Sequence, residues 1–368
     1  MDIDSIRDYF PVTKRYVYLN HASTAPLNTL STEKLEEYLR CLRDKGDPEW
    51  SYLQSISEST RQKVADLLKT NKDNIAFVSN TSHGINIIID SIPWKEGDEV
   101  LIPQRNFPAN VYPWLYNKYG VAVKFVDGDF TENFRKCITG KTKLIAFDWV
   151  NYFTGERVDP LPIVEFAKSR GIYVLVDAIQ GLGAVPLYPD RIGVDFVVSG
   201  TAKWLLGPQG LGILYVNPER LSDLKFTSIG WLSAPWKDFS DFSILPEPLG
   251  EIKRIECGTK NYAALSLFSG SLDVILRRGI EEIWNRISYY TKILFSELKR
   301  RGFEILTPEE LDKRAGIVTF RKEGDMKELH ERLKNSNIIT SLRNNAIRIS
   351  PHFYNTKEEI EFLLSKLY

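Results

Sequence analysis

The chain has 368 residues, 43% of them hydrophobic and 26% charged, which is typical of a folded protein with a large buried core. Its 48 basic and 48 acidic side chains balance, so no global basic field exists to attract nucleic acid or an anionic membrane, and neither partner is expected. Cys41, Cys137 and Cys257 lie far apart without a C-x-x-C spacing, and no long apolar run or signal peptide is present, so we expect a cytoplasmic protein without disulfides or a metal site.

Seven short apolar runs between residues 74 and 216 predict the strands of one sheet. Longer amphipathic stretches lie between them, for example residues 161–170, and this alternation is typical of βαβ units in a mainly parallel sheet. Several runs are apolar almost throughout, as expected when helices cover both faces of a sheet. The predicted strands are residues 75–79, 99–103, 121–127, 143–150, 172–177, 196–199 and 212–216.

The rest of the chain follows a different pattern. Residues 231–258 are irregular and rich in aromatic side chains, and Trp231, Trp236 and Phe239 are candidates for an apolar substrate lining or for the seal of a dimer. A long helical pattern over residues 262–301 then leads into a smaller α+β domain. Its predicted elements are a strand at 316–321, a helix at 326–335, a strand at 346–350 and a helix at 357–367.

Two ionisable residues follow neighbouring strands of the predicted sheet. Asp177 ends one apolar strand, and Lys203 follows the next strand along the chain. Open α/β sheets bind ligands at the carboxyl ends of their strands, so both side chains could face one cavity. An ammonium group among Val, Ala, Trp and Leu is expected to have a lowered pKa, which is the state that a Schiff-base lysine needs. Each residue alone is more often a turn residue or a solvated side chain; the pair in this order indicates chemistry.

With these residues in place, the whole chain resembles the class V aminotransferases of the pyridoxal-phosphate fold type I superfamily, which include cysteine desulfurases, kynureninase and isopenicillin N epimerase-like proteins. The resemblance runs from Tyr18-Leu-Asn-His-Ala to Arg348-Ile-Ser-Pro-His-Phe-Tyr-Asn-Thr. It implies a homodimer that binds pyridoxal 5′-phosphate. It also implies a mainly parallel seven-stranded large domain (residues 26–258), a small α+β domain (259–368) and an N-terminal segment (1–25) that joins the small domain and the active site.

The resemblance assigns cofactor roles residue by residue. It implies that Lys203 forms the Schiff base with the cofactor aldehyde and then moves the substrate Cα proton, while Asp177 pairs with the protonated pyridine nitrogen. Gln180 is placed to hydrogen-bond the phenolic oxygen of the ring, and Asn151 to lie near that oxygen and the substrate carboxylate; loop capping is the alternative for both amides. Phe107 is placed to stack on the pyridine ring, with packing in the core as its alternative.

The cofactor phosphate is expected at the start of a helix, where unpaired N–H groups and the helix dipole favour an anion. Thr81 and Ser82 lie where a predicted strand ends and an apolar helical run begins, and the resemblance places the phosphate there; a simple N-cap is the alternative. Ser199 and Thr201, just before the lysine, are further candidates. Thr259 matches a family element that reaches the phosphate of the neighbouring subunit, which implies shared active sites.

A substrate carboxylate favours a planar, bidentate donor, which is an arginine. By resemblance, Arg348 binds this carboxylate and Arg343 is a second candidate, whereas an arginine on a surface strand is the alternative. His21 lies on the N-terminal segment that approaches the substrate in this family, and its role is open.

The resemblance implies an enzyme acting on an amino acid, with aminotransfer as the first choice and a lyase or epimerase reaction as the alternative. Cysteine desulfurases carry a cysteine on a loop shortly before the carboxylate arginine, and residues 338–348 contain none, which disfavours the usual desulfurase mechanism. Ala202 replaces the histidine that often precedes the family lysine. A nucleotide-binding protein is disfavoured because no G-x-G-x-x-G or P-loop motif occurs, and a non-catalytic member because all three charged site residues are retained.

Overall fold

A computed structural model describes residues 3–235 and 246–367 of the chain, so Trp236 and Phe239 lie outside the described residues. Over this part, the α-helices are α1 (Ile3–Arg7), α2 (Thr29–Lys45), α3 (Trp50–Leu68), α4 (Thr81–Ser91), α5 (Tyr112–Leu115), α6 (Phe130–Cys137), α7 (Leu161–Lys168), α8 (Pro189–Ile192), α9 (Tyr262–Arg278), α10 (Ile280–Arg300), α11 (Met326–Asn335) and α12 (Lys357–Ser365). None of these described helices combines the length and apolar character needed to cross a membrane.

Within residues 3–235 and 246–367, the strands are short and fall into three sheets. They are β1 (Val17–Tyr18), β2 (Ile75–Val78), β3 (Glu99–Pro103), β4 (Ala122–Val126), β5 (Thr142–Asp148), β6 (Tyr173–Asp177), β7 (Phe196–Gly200), β8 (Gly212–Val216), β9 (Glu304–Ile305), β10 (Val318–Arg321), β11 (Ile338–Ile339), β12 (Ser341–Arg343) and β13 (Ala346–Ile349).

The central sheet has seven strands in the order β2-β8-β7-β6-β5-β3-β4, and only β8 runs antiparallel to its neighbours among them. All seven strands predicted from the sequence lie in this sheet, so the mainly parallel α/β fold is confirmed. In β6, Val174 and Val176 join the core on one face of the sheet, while Tyr173 and Leu175 join the core on the other. Because successive side chains of a strand point to opposite faces, a strand covered on both sides must be apolar throughout.

The helical pattern over residues 262–301 is two helices rather than one. Gly279 separates α9 from α10 because it adopts φ +84° and ψ 133°, a conformation open to glycine. Helix α9 packs against α2 and α3, whereas α10 packs against α12 and the strand β10. The glycine therefore divides a helix that packs beside the central sheet from one that packs on the C-terminal sheet, and the domain boundary at residue 258 remains a prediction.

The C-terminal part contains an antiparallel sheet in the order β12-β13-β10-β9. Its predicted strands 316–321 and 346–350 are observed as β10 and β13, and the predicted helix 357–367 as α12. The N-terminal segment reaches this region through β1, whose Val17 pairs in parallel with Ile338 of β11. The strands β1, β9, β11 and β12 were not predicted. Each has only two or three residues, which is too few to show the alternation of apolar and polar side chains that marks a strand.

A buried ion pair fixes the segment that precedes α9. Arg61 of α3 donates from Nη1 and Nη2 to the two carboxylate oxygens of Glu256, at 2.6 and 2.9 Å, and both side chains are buried. Glu256 also accepts from the backbone N–H of Phe77 in β2 at 2.7 Å and from Lys260 at 2.8 Å. The pair thus joins α3, the edge strand β2 and the loop that carries Thr259.

Replacing Glu256 by Gln should destabilise the protein strongly, because the buried Arg61 then keeps only the more exposed Glu58, at 3.2 Å, as an ionic partner. We expect the free energy of unfolding to fall by about 3–5 kcal/mol, measured by denaturant titration followed by circular dichroism. The control is Glu304→Gln, which removes the exposed Arg321–Glu304 pair and should leave the unfolding midpoint nearly unchanged. Equal effects of the two substitutions would contradict this role of Glu256.

Candidate active site

A cavity of about 450 Å³ opens at the carboxyl ends of β6 and β7 and extends to β12 and β13. Lys203 and Asp177 both lie in its wall, as the positions of their two motifs predict. The other residues predicted from the sequence that line this wall are Thr81, Ser82, Phe107, Gln180, Thr201, Arg343 and Arg348.

Lys203 lies in the tight loop that follows β7. The backbone N–H of Leu206 donates to the Lys203 carbonyl at 3.0 Å, and Leu206 is held at φ +57°, an uncommon conformation for a bulky residue, by complete burial of its side chain. Among the described residues, Lys203 Nζ forms no hydrogen bond or ion pair, and it lies 5.6 Å from the ring centre of Phe107. Burial lowers the pKa of the Lys203 ammonium to about 8, although Asp177 opposes this effect.

Asp177 ends β6 with a buried carboxylate that is only half satisfied. Its Oδ1 accepts from the backbone N–H of Ile179 at 3.0 Å, whereas its Oδ2 is buried without a hydrogen-bond partner. Burial raises the pKa of this carboxyl to about 6, and the hydrogen bond from Ile179 and the charge of Lys203 oppose the rise. A buried oxygen of this kind is costly unless a donor completes it, and a cationic N–H donor suits it best.

Asp148 is a site residue that the sequence analysis missed. It ends β5 directly beside Asp177 in the parallel register and accepts from the Phe107 backbone N–H at 2.7 Å and from Asn110 Nδ2 at 3.3 Å. These bonds hold the loop that places the Phe107 ring in the cavity wall. The available signal was the one used for Asp177, an acidic residue at the end of an apolar strand.

The start of α4 faces the cavity with free backbone donors. Asn80 caps the helix by accepting from the His83 N–H at 2.9 Å, which leaves the N–H groups of Thr81 and Ser82 without helical partners. The Thr81 hydroxyl oxygen accepts from the Gly200 N–H at 3.0 Å and so ties this helix start to the end of β7. An anion bound here would meet both N–H groups and the positive end of the helix dipole.

Two other hydroxyl candidates are engaged elsewhere. Thr201 lines the cavity, but its hydroxyl donates to the carbonyl of Pro208 at 2.7 Å. Ser199 does not line the cavity and donates to the Gly200 carbonyl at 2.9 Å. Thr259 is exposed and also lies outside this cavity of its own chain.

The amides of Gln180 and Asn151 are both bonded to protein groups. Gln180 lines the cavity, donates to the Ala22 carbonyl at 2.9 Å and accepts from Trp204 Nε1 at 3.1 Å. Asn151 does not line the cavity: its oxygen accepts from the N–H groups of Phe153 and Thr154, each at 2.9 Å, and its nitrogen donates to a backbone carbonyl. Asn151 therefore caps its loop and faces a neighbouring groove of about 1160 Å³, which has neither Lys203 nor Asp177 in its wall.

His21 lies outside the cavity wall and is completely buried. Its Nδ1 is 3.0 Å from the Ser350 carbonyl oxygen and its Nε2 is 2.6 Å from the Tyr354 hydroxyl. Burial lowers the pKa of the imidazole well below its usual value, so the neutral ring donates from Nδ1 to Ser350 and accepts from Tyr354 at Nε2. His21 thus attaches the N-terminal segment to the C-terminal sheet, and its neighbour Ser23 faces the cavity instead.

Arg348 of β13 brings a buried guanidinium to the cavity wall. Its Nη1 donates to the Tyr152 carbonyl at 2.5 Å and its Nη2 donates to the Ser23 hydroxyl at 2.7 Å, while its Nε has no partner. Burial lowers the pKa of this group to about 9, with Arg343 as the next cause. Ser23 and Tyr152, which the sequence analysis did not single out, therefore orient Arg348 toward an anionic ligand.

In the cofactor-free protein, Lys203 should titrate about two pH units below an ordinary lysine. Its lowered pKa means that half of its amines are neutral and nucleophilic near pH 8, where well under 1% of ordinary exposed lysines are. Trace acetylation followed by peptide mass spectrometry, run from pH 6.5 to 10.5, measures this titration. A midpoint for Lys203 near 10.4, shared with the exposed lysines, would contradict it.

Comparisons with known proteins agree with this geometry. The family model for class-V aminotransferases matches residues 17–363. An uncharacterized aminotransferase of Bacillus subtilis, YcbU, is 26% identical over 99% of this chain and 97% of its own length, and a probable cysteine desulfurase of Pyrococcus abyssi is 25% identical over 99% and 96%. A solved structure of a C-DES variant with glycine covalently linked to its PLP cofactor superposes with a TM-score of 0.90 at 23% identity, over 98% of each chain. The resemblance and the fold expected from the sequence are confirmed.

Proposed function

The chain belongs to the class-V aminotransferase family, and we propose that it is an aminotransferase that uses pyridoxal 5′-phosphate and acts on an α-amino acid. Pyridoxal 5′-phosphate is the cofactor of this family, as the sequence predicts. When bound, this cofactor withdraws electrons from the substrate and so makes the Cα–H bond acidic. The observation that carries the proposal is the presence, in one cavity, of a half-buried lysine amine without a hydrogen-bond partner among the described residues and of a buried aspartate oxygen without a donor.

The residues present fit this cofactor. Asp177 Oδ2 lacks a donor, which the protonated pyridine nitrogen would supply. The free N–H groups of Thr81 and Ser82 at the start of α4 suit the phosphate. Phe107 lies in the same wall, with its ring near Lys203, where an aromatic ring can cover the face of the pyridine.

Lys203 has the properties of the proton-transfer group. Its amine would hold the cofactor and, once freed by an incoming amino acid, would take the proton from the substrate Cα. A pKa near 8 leaves this amine able both to accept and to donate a proton near neutral pH. Arg348, fixed by Tyr152 and Ser23, holds the substrate carboxylate and so turns the Cα–H bond toward Lys203.

The atom to which Lys203 returns the proton decides the reaction. Delivery of the proton away from the substrate Cα would permit aminotransfer, whereas its return to Cα would give epimerisation. The usual desulfurase mechanism has no support here, because none of the three cysteines lines the cavity and Cys257 donates its thiol to the Ser228 carbonyl. Aminotransfer is our choice, and the name of the Bacillus subtilis relative is consistent with it.

The proposal includes a cytoplasmic homodimer with shared active sites. Thr259 is exposed on a loop that the Arg61–Glu256 pair holds firmly, and it does not reach the cavity of its own chain. This placement suits a residue that completes the phosphate site of a partner subunit.

The direct test compares wild type with Lys203→Ala and with Lys299→Ala, which changes an exposed lysine of α10. Wild type and Lys299→Ala, loaded with cofactor, should show a visible Schiff-base band that borohydride abolishes, and should transfer amine from an amino acid to a keto acid such as pyruvate, glyoxylate or 2-oxoglutarate. Lys203→Ala should lack the protein-linked band and transfer amine at least about 100-fold more slowly.

Two results would overturn this proposal. Normal activity of the Lys203→Ala variant would show that Lys203 takes no part in the reaction. Formation of a keto acid, sulfide or an epimer without any keto-acid acceptor would show that the enzyme is a lyase or an epimerase and not an aminotransferase.

A further inference from the structure

Two arginines line the cavity wall near β12 and β13, and the α-carboxylate of one amino acid accounts for only one of them. Lys203, Arg343 and Arg348 all line this wall, and Asp177 is the carboxylate that faces them from the described wall residues. If the proposed function holds, Lys203 and Asp177 serve the cofactor and Arg348 serves the substrate carboxylate. Arg343 then remains as a cation without an assigned anion.

The strand register places the two arginines together. In the β12–β13 hairpin, Ser341 lies opposite Arg348 and Arg343 lies opposite Ala346, so Arg343 and Arg348 are diagonal neighbours on one face of the sheet. Asn344 and Asn345 close the hairpin with φ values of 49° and 54°, which is the signature of a tight two-residue turn. Because such a turn fixes the register, Arg343 is held at the substrate end of the cavity beside Arg348.

Arg343 and Arg348 repel each other across the hairpin, and an anion bound between them would relieve this repulsion. Arg348 is anchored by Tyr152 and Ser23, but Arg343 is exposed and forms no hydrogen bond or ion pair with the described residues. By contrast, the exposed Arg321 of the same sheet is paired with both oxygens of Glu304, at 2.7 and 2.8 Å. Arg343 is therefore a planar donor left available at the cavity for a ligand.

Resting on the proposed function, we propose that Arg343 binds a second, side-chain carboxylate of the substrate, so that the enzyme acts on dicarboxylic amino acids such as aspartate or glutamate. The acceptor is then the matching class of keto acid, a 2-oxo dicarboxylate. Arg348 takes the α-carboxylate, because it is buried and fixed next to the cavity. Arg343 takes the distal carboxylate, because its exposed side chain can move to reach it.

The test compares acidic substrates with their neutral isosteres in wild type and in Arg343→Gln. Wild type should prefer glutamate over glutamine, or aspartate over asparagine, by at least about 10-fold in kcat/KM. Arg343→Gln should lower kcat/KM for the acidic substrate about 10- to 100-fold, mostly through KM, and change that for alanine by less than about twofold. Arg343→Lys should recover part of the loss. The control, Arg332→Gln on α11, should leave every value unchanged.

A binding measurement decides the same question without turnover. By calorimetry on the cofactor-loaded protein, succinate should bind wild type at least about 10-fold more tightly than Arg343→Gln, whereas butyrate should bind both equally. Equal succinate affinity in the two proteins, or an unchanged preference for glutamate in Arg343→Gln, would overturn the assignment of Arg343. A preference for O-phosphoserine over both acidic amino acids would show that Arg343 binds a phosphate ester of the substrate and not a side-chain carboxylate. Absence of the Lys203 band together with an inert substrate panel would instead refute the proposed function, and succinate binding to the protein without cofactor would still test Arg343.

Discussion

The active-site account depends on two ionisable groups, Asp177 and Lys203, at the carboxyl edge of the central sheet. Asp177 Oδ2 is buried without a donor, and Lys203 Nζ has no hydrogen-bond partner among the described residues. Burial raises the pKa of Asp177 to about 6 and lowers that of Lys203 to about 8. Near pH 7 both groups are mainly charged, so each shift disfavours the folded state by about 3 kcal/mol. A ligand that gives Asp177 a donor and takes up the Lys203 amine recovers this free energy, and the cavity is thus built for a molecule that does both.

Several polar residues keep this arrangement rigid through hydrogen bonds within the protein. Trp204, next to Lys203, donates to Gln180, and Gln180 in turn holds the Ala22 carbonyl of the N-terminal segment. His352 Nε2 lies 3.1 Å from the carbonyl oxygen of Trp204. Burial lowers the pKa of the His352 ring to about 4, so the imidazole is neutral and donates a hydrogen bond from Nε2 to this carbonyl. Through these bonds, the lysine loop, the N-terminal segment and the strand of Arg348 form one connected wall.

The sequence predicts the parts of the site that follow from strand order. Asp177 and Lys203 meet because each follows a strand of a parallel sheet, and Thr81 and Ser82 meet them because a helix begins where β2 ends. The surroundings of His21 were not predictable in this way, since its partners Ser350 and Tyr354 lie more than 300 residues away along the chain. Asn151 matches a family position, yet its amide oxygen bonds to its own loop and its amide nitrogen donates to the Arg105 carbonyl. Similarly, the apolar pattern of residues 262–301 continues through Gly279, so only its backbone conformation reveals the break.

The most direct test of the central claim is to identify the lysine to which the cofactor is attached. Wild-type protein loaded with pyridoxal 5′-phosphate is reduced with borohydride, digested and sequenced by mass spectrometry. The account predicts that the cofactor mass lies on Lys203 in nearly all molecules. Attachment to other lysines, or no attachment after loading, would contradict it.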